Sequence, residues 1–136
     1  MFMRLFVAMI AFAGLGFSGP AARADREMPR VQAARVTFVR PTRVNGFFLL
    51  GSYVVVHDEG KMAQGEPCTT FYRLHTRERA EVVVAFRCEP RQAEVVAQPM
   101  FRTCPSRGPV TGTTLVELVD YQFAGDTEAH GVPLVR

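Results

Sequence analysis

The chain has 136 residues, 48% hydrophobic and 21% charged, with a formal net charge of +3 at neutral pH. That length supports one hydrophobic core and is short for two. The excess charge is small and its arginines are dispersed, which gives no electrostatic case for nucleic acid or an anionic membrane as partner.

Residues 1–24 read as a signal peptide. Arg4 supplies the positive start and residues 5–17 form an apolar stretch too short to span a bilayer. Ser18-Gly19-Pro20 breaks that stretch, and Ala22-Arg23-Ala24 is an A-x-A cleavage site. The expected mature chain begins at Asp25, is exported, and is periplasmic or secreted. Loss of Arg4 and Arg23 takes the 16 cations to 14 against 13 anions, a net of +1. No later stretch approaches ~18 uninterrupted apolar residues, so no integral membrane segment is expected after cleavage.

Residues 25–33 read as a flexible arm, and residues 34–123 as the folded domain. Alternation over 34–39 gives a first strand ending at Arg40-Pro41, followed by the turn signal Asn45-Gly46. A short strand over 47–50 and a firmer one over 53–57 come next, then a loop over 58–67. Beyond Cys88, a strand over 92–101 is weakened by Pro99. Residues 103–112 read as a Pro/Gly loop carrying Cys104, residues 113–123 as the longest strand, and residues 124–136 as a C-terminal tail.

Residues 68–88 read as a β-hairpin, with two runs rich in Val, Phe, Tyr and Thr flanking a polar turn. Placing Cys68 opposite Cys88 pairs Thr70 with Phe86, Tyr72 with Val84 and Leu74 with Val82, all on one apolar face. His75 then meets Glu81 on the polar face. A disulfide between Cys68 and Cys88 follows as an expectation, in keeping with an oxidising compartment.

No segment after residue 24 sustains a 3.6-residue period. The expected fold is all-β and antiparallel, a sandwich or small barrel of six to seven strands closed by one disulfide.

Three stretches carry a resemblance. Residues 48–53, Phe-Leu-Leu-Gly-Ser-Tyr, are similar to an L-P-A-G-x-Y-type turn, without its proline and alanine. Gly65-Glu66-Pro67-Cys68-Thr69 is similar to a G-E-P-C-T hairpin start, and Phe123-Ala124-Gly125-Asp126-Thr127 completes the likeness. The chain thereby resembles a group of small exported bacterial β-sandwich proteins of unknown function. The resemblance implies an exported β-sandwich and carries no activity.

Site chemistry is sparse. Cys104 is left over as a free or intermolecular thiol, and C-x-x-C is absent. The histidines are His57, His75 and His130. His57 at a strand end and His130 in the tail could meet at one rim, where Asp126 and Glu128 would complete a divalent-metal site. Their spacing matches no metal motif, so the primary expectation is no metal and no cofactor. Neither mature serine, Ser52 nor Ser106, lies in G-x-S-x-G, and a small hydrolase is the weakest alternative. Phe47, Phe48 and Phe71 are assigned to the core with the other aromatics. They would form a binding platform only if they faced outward. The expectation is a non-enzymatic structural or interaction module whose partner is an unidentified protein or envelope component.

Overall fold

Alternation of apolar and polar residues carries most of the architecture. In the first strand, β1 (Val31–Val44), Ala34, Val36, Phe38, Thr42 and Val44 point inward, while Arg35, Thr37 and Val39 are exposed. Asn45 and Gly46 both take positive φ, 47° and 87°, the turn geometry that matches the twist of a two-residue hairpin. The chain returns as β2 (Phe47–Asp58), burying Leu49, Tyr53, Val55 and His57. The computed structural model describes residues 28–106 and 115–135. The expected signal peptide and cleavage site, the start of the expected arm, and residues 107–114 lie outside the described residues.

The remaining elements are α1 (Glu59–Ala63), β3 (Thr69–Thr76), β4 (Arg79–Phe86), β5 (Glu89–Gln92), β6 (Met100–Pro105), β7 (Val116–Gln122) and β8 (Glu128–Gly131). They form one curled sheet in the order β4-β3-β2-β1-β7-β8-β5, with β6 also paired to β7. The fold is therefore mostly β, as expected. Its details differ: eight strands are described instead of six or seven, and of the expected sandwich or small barrel the single curled sheet is nearer the second, as a half-barrel. The sheet is mixed, because β1 runs parallel to β7 through Thr42–Val116 and Arg43–Glu117.

Pro41 explains a departure in β1. Lacking an N–H, it interrupts the β1–β2 ladder, which slips between Phe38 and Thr42 and then resumes to Val44. The strand expected to stop there continues instead. The two strands expected over 47–50 and 53–57 are one, the segment 58–67 contains α1, and the expected strand 92–101 divides into β5 and β6 around residues 93–99. Cys104 lies in β6, not in a loop. The segment read as a tail contains β8, which pairs with β7 on one edge and β5 on the other.

The β3–β4 hairpin forms, but in another register. Thr69 pairs with Phe86, Thr70 with Ala85 and Phe71 with Val84, after which a bulge at Val83 brings Tyr72 opposite Val82. Thr69 and Phe71 therefore face the core, while Leu74 and Val82 are exposed. The neighbouring strand decides this. Val55 pairs with Phe71 and His57 with Thr69, and cross-strand partners share a face. The His75–Glu81 contact survives, as a 2.6 Å hydrogen bond at an irregularity of the hairpin.

The core is aromatic. Phe71 stacks near Phe38 and Phe86 at 6.4 and 6.3 Å and meets Tyr121 edge-on at 6.4 Å. Phe47 and Phe48, assigned to the core from sequence, are exposed at the β1–β2 turn, where the guanidinium of Arg43 covers Phe48. Phe71 is wholly buried, so the three do not form an outward platform.

Candidate metal centre

His57 is the last inward residue of β2, continuing the parity of Tyr53 and Val55. Asp58 then ends the strand and caps α1, its Oδ1 accepting from Lys61 N at 3.1 Å. Asp58 N donates to Cys68 O at 2.9 Å, which draws the returning chain against the end of β2. Cys88 follows β4 and precedes β5. Because β5 pairs with β8, Pro90 lies opposite His130. Five separate segments thus converge on one interior point.

Cys88 Sγ is the hub of that convergence. It lies 3.4 Å from His57 Nε2, 3.6 Å from His130 Nδ1, 3.0 Å from Cys68 Sγ and 4.0 Å from Met62 Sδ. His57, Cys88 and His130 are all buried, and one ligand atom from each falls within 4.8 Å of the others. The two imidazole centroids are 4.0 Å apart, with the rings tilted 36° to each other. Tyr121 stacks on His130 at 5.0 Å, and its hydroxyl hydrogen-bonds Thr69 Oγ1, so the far wall is rigid.

Burial sets the electrostatics. Desolvation, then the adjacent His57, pulls His130 down to about 4, and desolvation also lowers His57. Both rings are neutral at pH 7. Desolvation, reinforced by Cys68, pushes the Cys88 thiol up to about 12. Among the described residues, His57 Nδ1 and His130 Nε2 have no hydrogen-bond partner. Each buried nitrogen left unpaired costs on the order of 1–3 kcal/mol.

The geometry suits a metal. A tetrahedral ion with metal–sulfur about 2.3 Å and metal–nitrogen about 2.0–2.1 Å has a sulfur–nitrogen edge near ~3.6 Å. The two Cys88–histidine distances, 3.4 and 3.6 Å, match that edge. With the outer nitrogens protonated, the inner ones turn two lone pairs toward a sulfur that offers one proton. A cation would satisfy all three donors.

The sequence brought His57 and His130 forward and placed them at a rim with Asp126 and Glu128. The structure does bring the histidines together, but in the interior. Asp126 is held instead by Arg30 Nη1 at 3.3 Å and Gln32 Nε2 at 2.9 Å. Glu128 is half-exposed, with Oε1 3.9 Å from His130 Nδ1. Cys88 was missed as a ligand because it was assigned to a disulfide. Inward parity on β2 would have marked His57 as interior, but no sequence signal points to Cys88 beside His130. Cys68 and Cys88 do meet, yet their sulfurs are 3.0 Å apart and unbonded, about 1 Å beyond a disulfide length. Cys104 is free and exposed.

Among the described residues, no hydrolytic constellation accompanies the cluster. Ser52 Oγ hydrogen-bonds Thr37 Oγ1 at 2.9 Å on the exposed face. A cleft of about 600 Å³ beside β1 is lined by Arg35, Phe38, Thr42, Phe101 and neighbours, with neither a nucleophile–base pair nor a carboxylate. No helix of the described residues is long and apolar enough to cross a membrane. No protein-family model, curated protein or solved structure matches the chain.

Proposed function

We propose that this protein is an exported, non-enzymatic metal-binding module whose ion is held by His57, Cys88 and His130. The observation that carries this reading is a single buried thiol flanked at ligand-edge distances by two neutral, buried imidazoles. Burial of all three ligand residues favours holding an ion over turning over a substrate. Export rests on the reading of residues 1–24 and on the resemblance to small exported bacterial proteins. Elemental analysis of the reduced protein tests the proposal. About one transition-metal ion per chain is expected, and it is lost in Cys88→Ser with the β-sheet circular dichroism unchanged. Metal-free protein that takes up no ion on titration overturns the reading.

A second reading draws on the approach of Cys68 to Cys88. In an oxidising compartment the two thiols can pass two electrons and two protons to a disulfide-exchanging oxidant and close the base of the β3–β4 hairpin. The protein is then a disulfide-braced structural or interaction module. Non-reducing peptide mapping of exported protein distinguishes the two: a quantitative Cys68–Cys88 link favours the brace, and free thiols favour the metal site.

A further inference from the structure

Most donor atoms around Cys88 are soft or borderline, although the Thr69 hydroxyl also reaches its sulfur. Two neutral imidazole nitrogens stand at 3.4 and 3.6 Å, and Met62 Sδ stands at 4.0 Å. Met62 is carried there by α1, a single short turn capped by Asp58, and packs against the aromatic core. Met62 is half-buried, whereas Lys61 and Ala63 on either side of it are exposed. The nearest carboxylates are diverted to Arg30 and Gln32 or lie half in solvent. Of these, Glu128 approaches a ligand atom, its Oε1 standing 3.9 Å from His130 Nδ1, and its side chain is half in solvent.

Charge points the same way. One thiolate with two neutral imidazoles exactly balances a monovalent cation, whereas a divalent ion leaves a net positive charge in a buried site, which is costly. Cys68 Sγ, 3.0 Å from Cys88 Sγ, is too close to serve as a second tetrahedral thiolate, whose sulfur–sulfur edge would be about 3.8 Å at a metal–sulfur length near 2.3 Å. Soft thiolate and thioether donors select Cu(I), and two imidazoles, one thiolate and a long thioether are the donor set of copper centres. Building on the metal-site reading above, we infer that the ion is copper, bound as Cu(I) by His57, Cys88 and His130, and that Met62 is the weak fourth ligand that sets selectivity over zinc.

The test is anaerobic titration of the reduced, metal-free protein with Cu(I) against a chromophoric Cu(I) chelator, and with Zn(II) against a zinc chelator. One equivalent of Cu(I) should be retained more tightly than Zn(II), with both sulfur and nitrogen neighbours in the copper X-ray absorption spectrum. Met62→Leu keeps the packing volume and should weaken Cu(I) roughly tenfold or more while leaving Zn(II) unchanged. Cys68→Ser cannot form the disulfide and should still bind Cu(I). Zinc binding as tight as copper, or a Met62→Leu variant with unaltered Cu(I) affinity, overturns the copper assignment and leaves the metal site standing. Failure of Cys68→Ser to bind either ion overturns both.

Discussion

The imidazole of His57 lies 4.0 Å from that of His130, although β2 and β8 are separated in the sheet order by β1 and β7. β6 occupies one edge of β7 from Val116 to Gln122, so β1 and β8 share the opposite edge, β1 at Val116–Glu117 and β8 at Asp120–Gln122. The ends of β2 and β8 then face each other across the interior, and the connection after β4 drops Cys88 between them.

Metal binding should be linked to folding. A bound ion stabilises the folded state by mass action. At a free concentration ~100 times the dissociation constant the gain is about 2.7 kcal/mol. Thermal unfolding of the reduced protein is expected to shift upward with one equivalent of Cu(I) and to return on adding a Cu(I) chelator. Cys88→Ser should show neither shift.

Acid should destabilise the metal-free protein through its buried histidines. Unfolded histidine titrates near ~6.5, whereas burial pulls His130 down to about 4 and lowers His57 as well. Above the unfolded value both states are neutral and the histidines contribute no pH dependence. As pH falls from about 6.5 toward about 4, the unfolded chain takes up protons that the folded chain refuses. Stability is therefore lost across that window, by about 3 kcal/mol for His130 alone. Urea unfolding between about pH 7 and pH 4 measures the loss, and His130→Asn should flatten the slope.

Disulfide formation and metal binding should exclude each other, because the bond consumes the Cys88 thiolate. Closing the 20-residue separation would add on the order of 3 kcal/mol of stability. Metal-loaded protein treated with oxidised glutathione is expected to release its ion, metal-free protein so treated to gain stability, and a reductant should reverse both. Simultaneous stoichiometric metal and a mapped Cys68–Cys88 link would contradict this exclusion.

The hairpin register can be read from alanine substitutions. Phe71 is fully buried and Leu74 is 47% exposed. Phe71→Ala should cost about 3–5 kcal/mol, while Leu74→Ala should stay within about 0.5 kcal/mol. A large loss at Leu74 with little at Phe71 would restore the register in which the cysteines oppose each other.

The Tyr121 hydroxyl meets Thr69 in the wall behind His130, and both residues are buried. Tyr121→Phe leaves the threonine hydroxyl without that partner and should cost about 1–3 kcal/mol. Thr69→Val in the same background should recover part of the loss, since it removes the orphaned group.

Local chemistry was legible in the sequence and long-range chemistry was not. The Asn45-Gly46 turn, the alternation of β1 and β2, and the existence of the β3–β4 hairpin all depend on residues within a few positions of one another, so turn propensity and period-two patterning determined them. Whether Phe71 or Tyr72 faces the core depends on the neighbouring strand β2, because a hairpin taken alone accepts either register when both faces carry apolar residues. The cysteines misled for the same reason: assuming them opposed assigned the wrong face to β3. The candidate centre was decided wholly by tertiary structure. Cys88 lies 31 residues from His57 and 42 from His130, spacings that match no ligand motif. Only the tertiary pairing that sets β8 beside β5 and on the same edge of β7 as β1 brings those three side chains to one point.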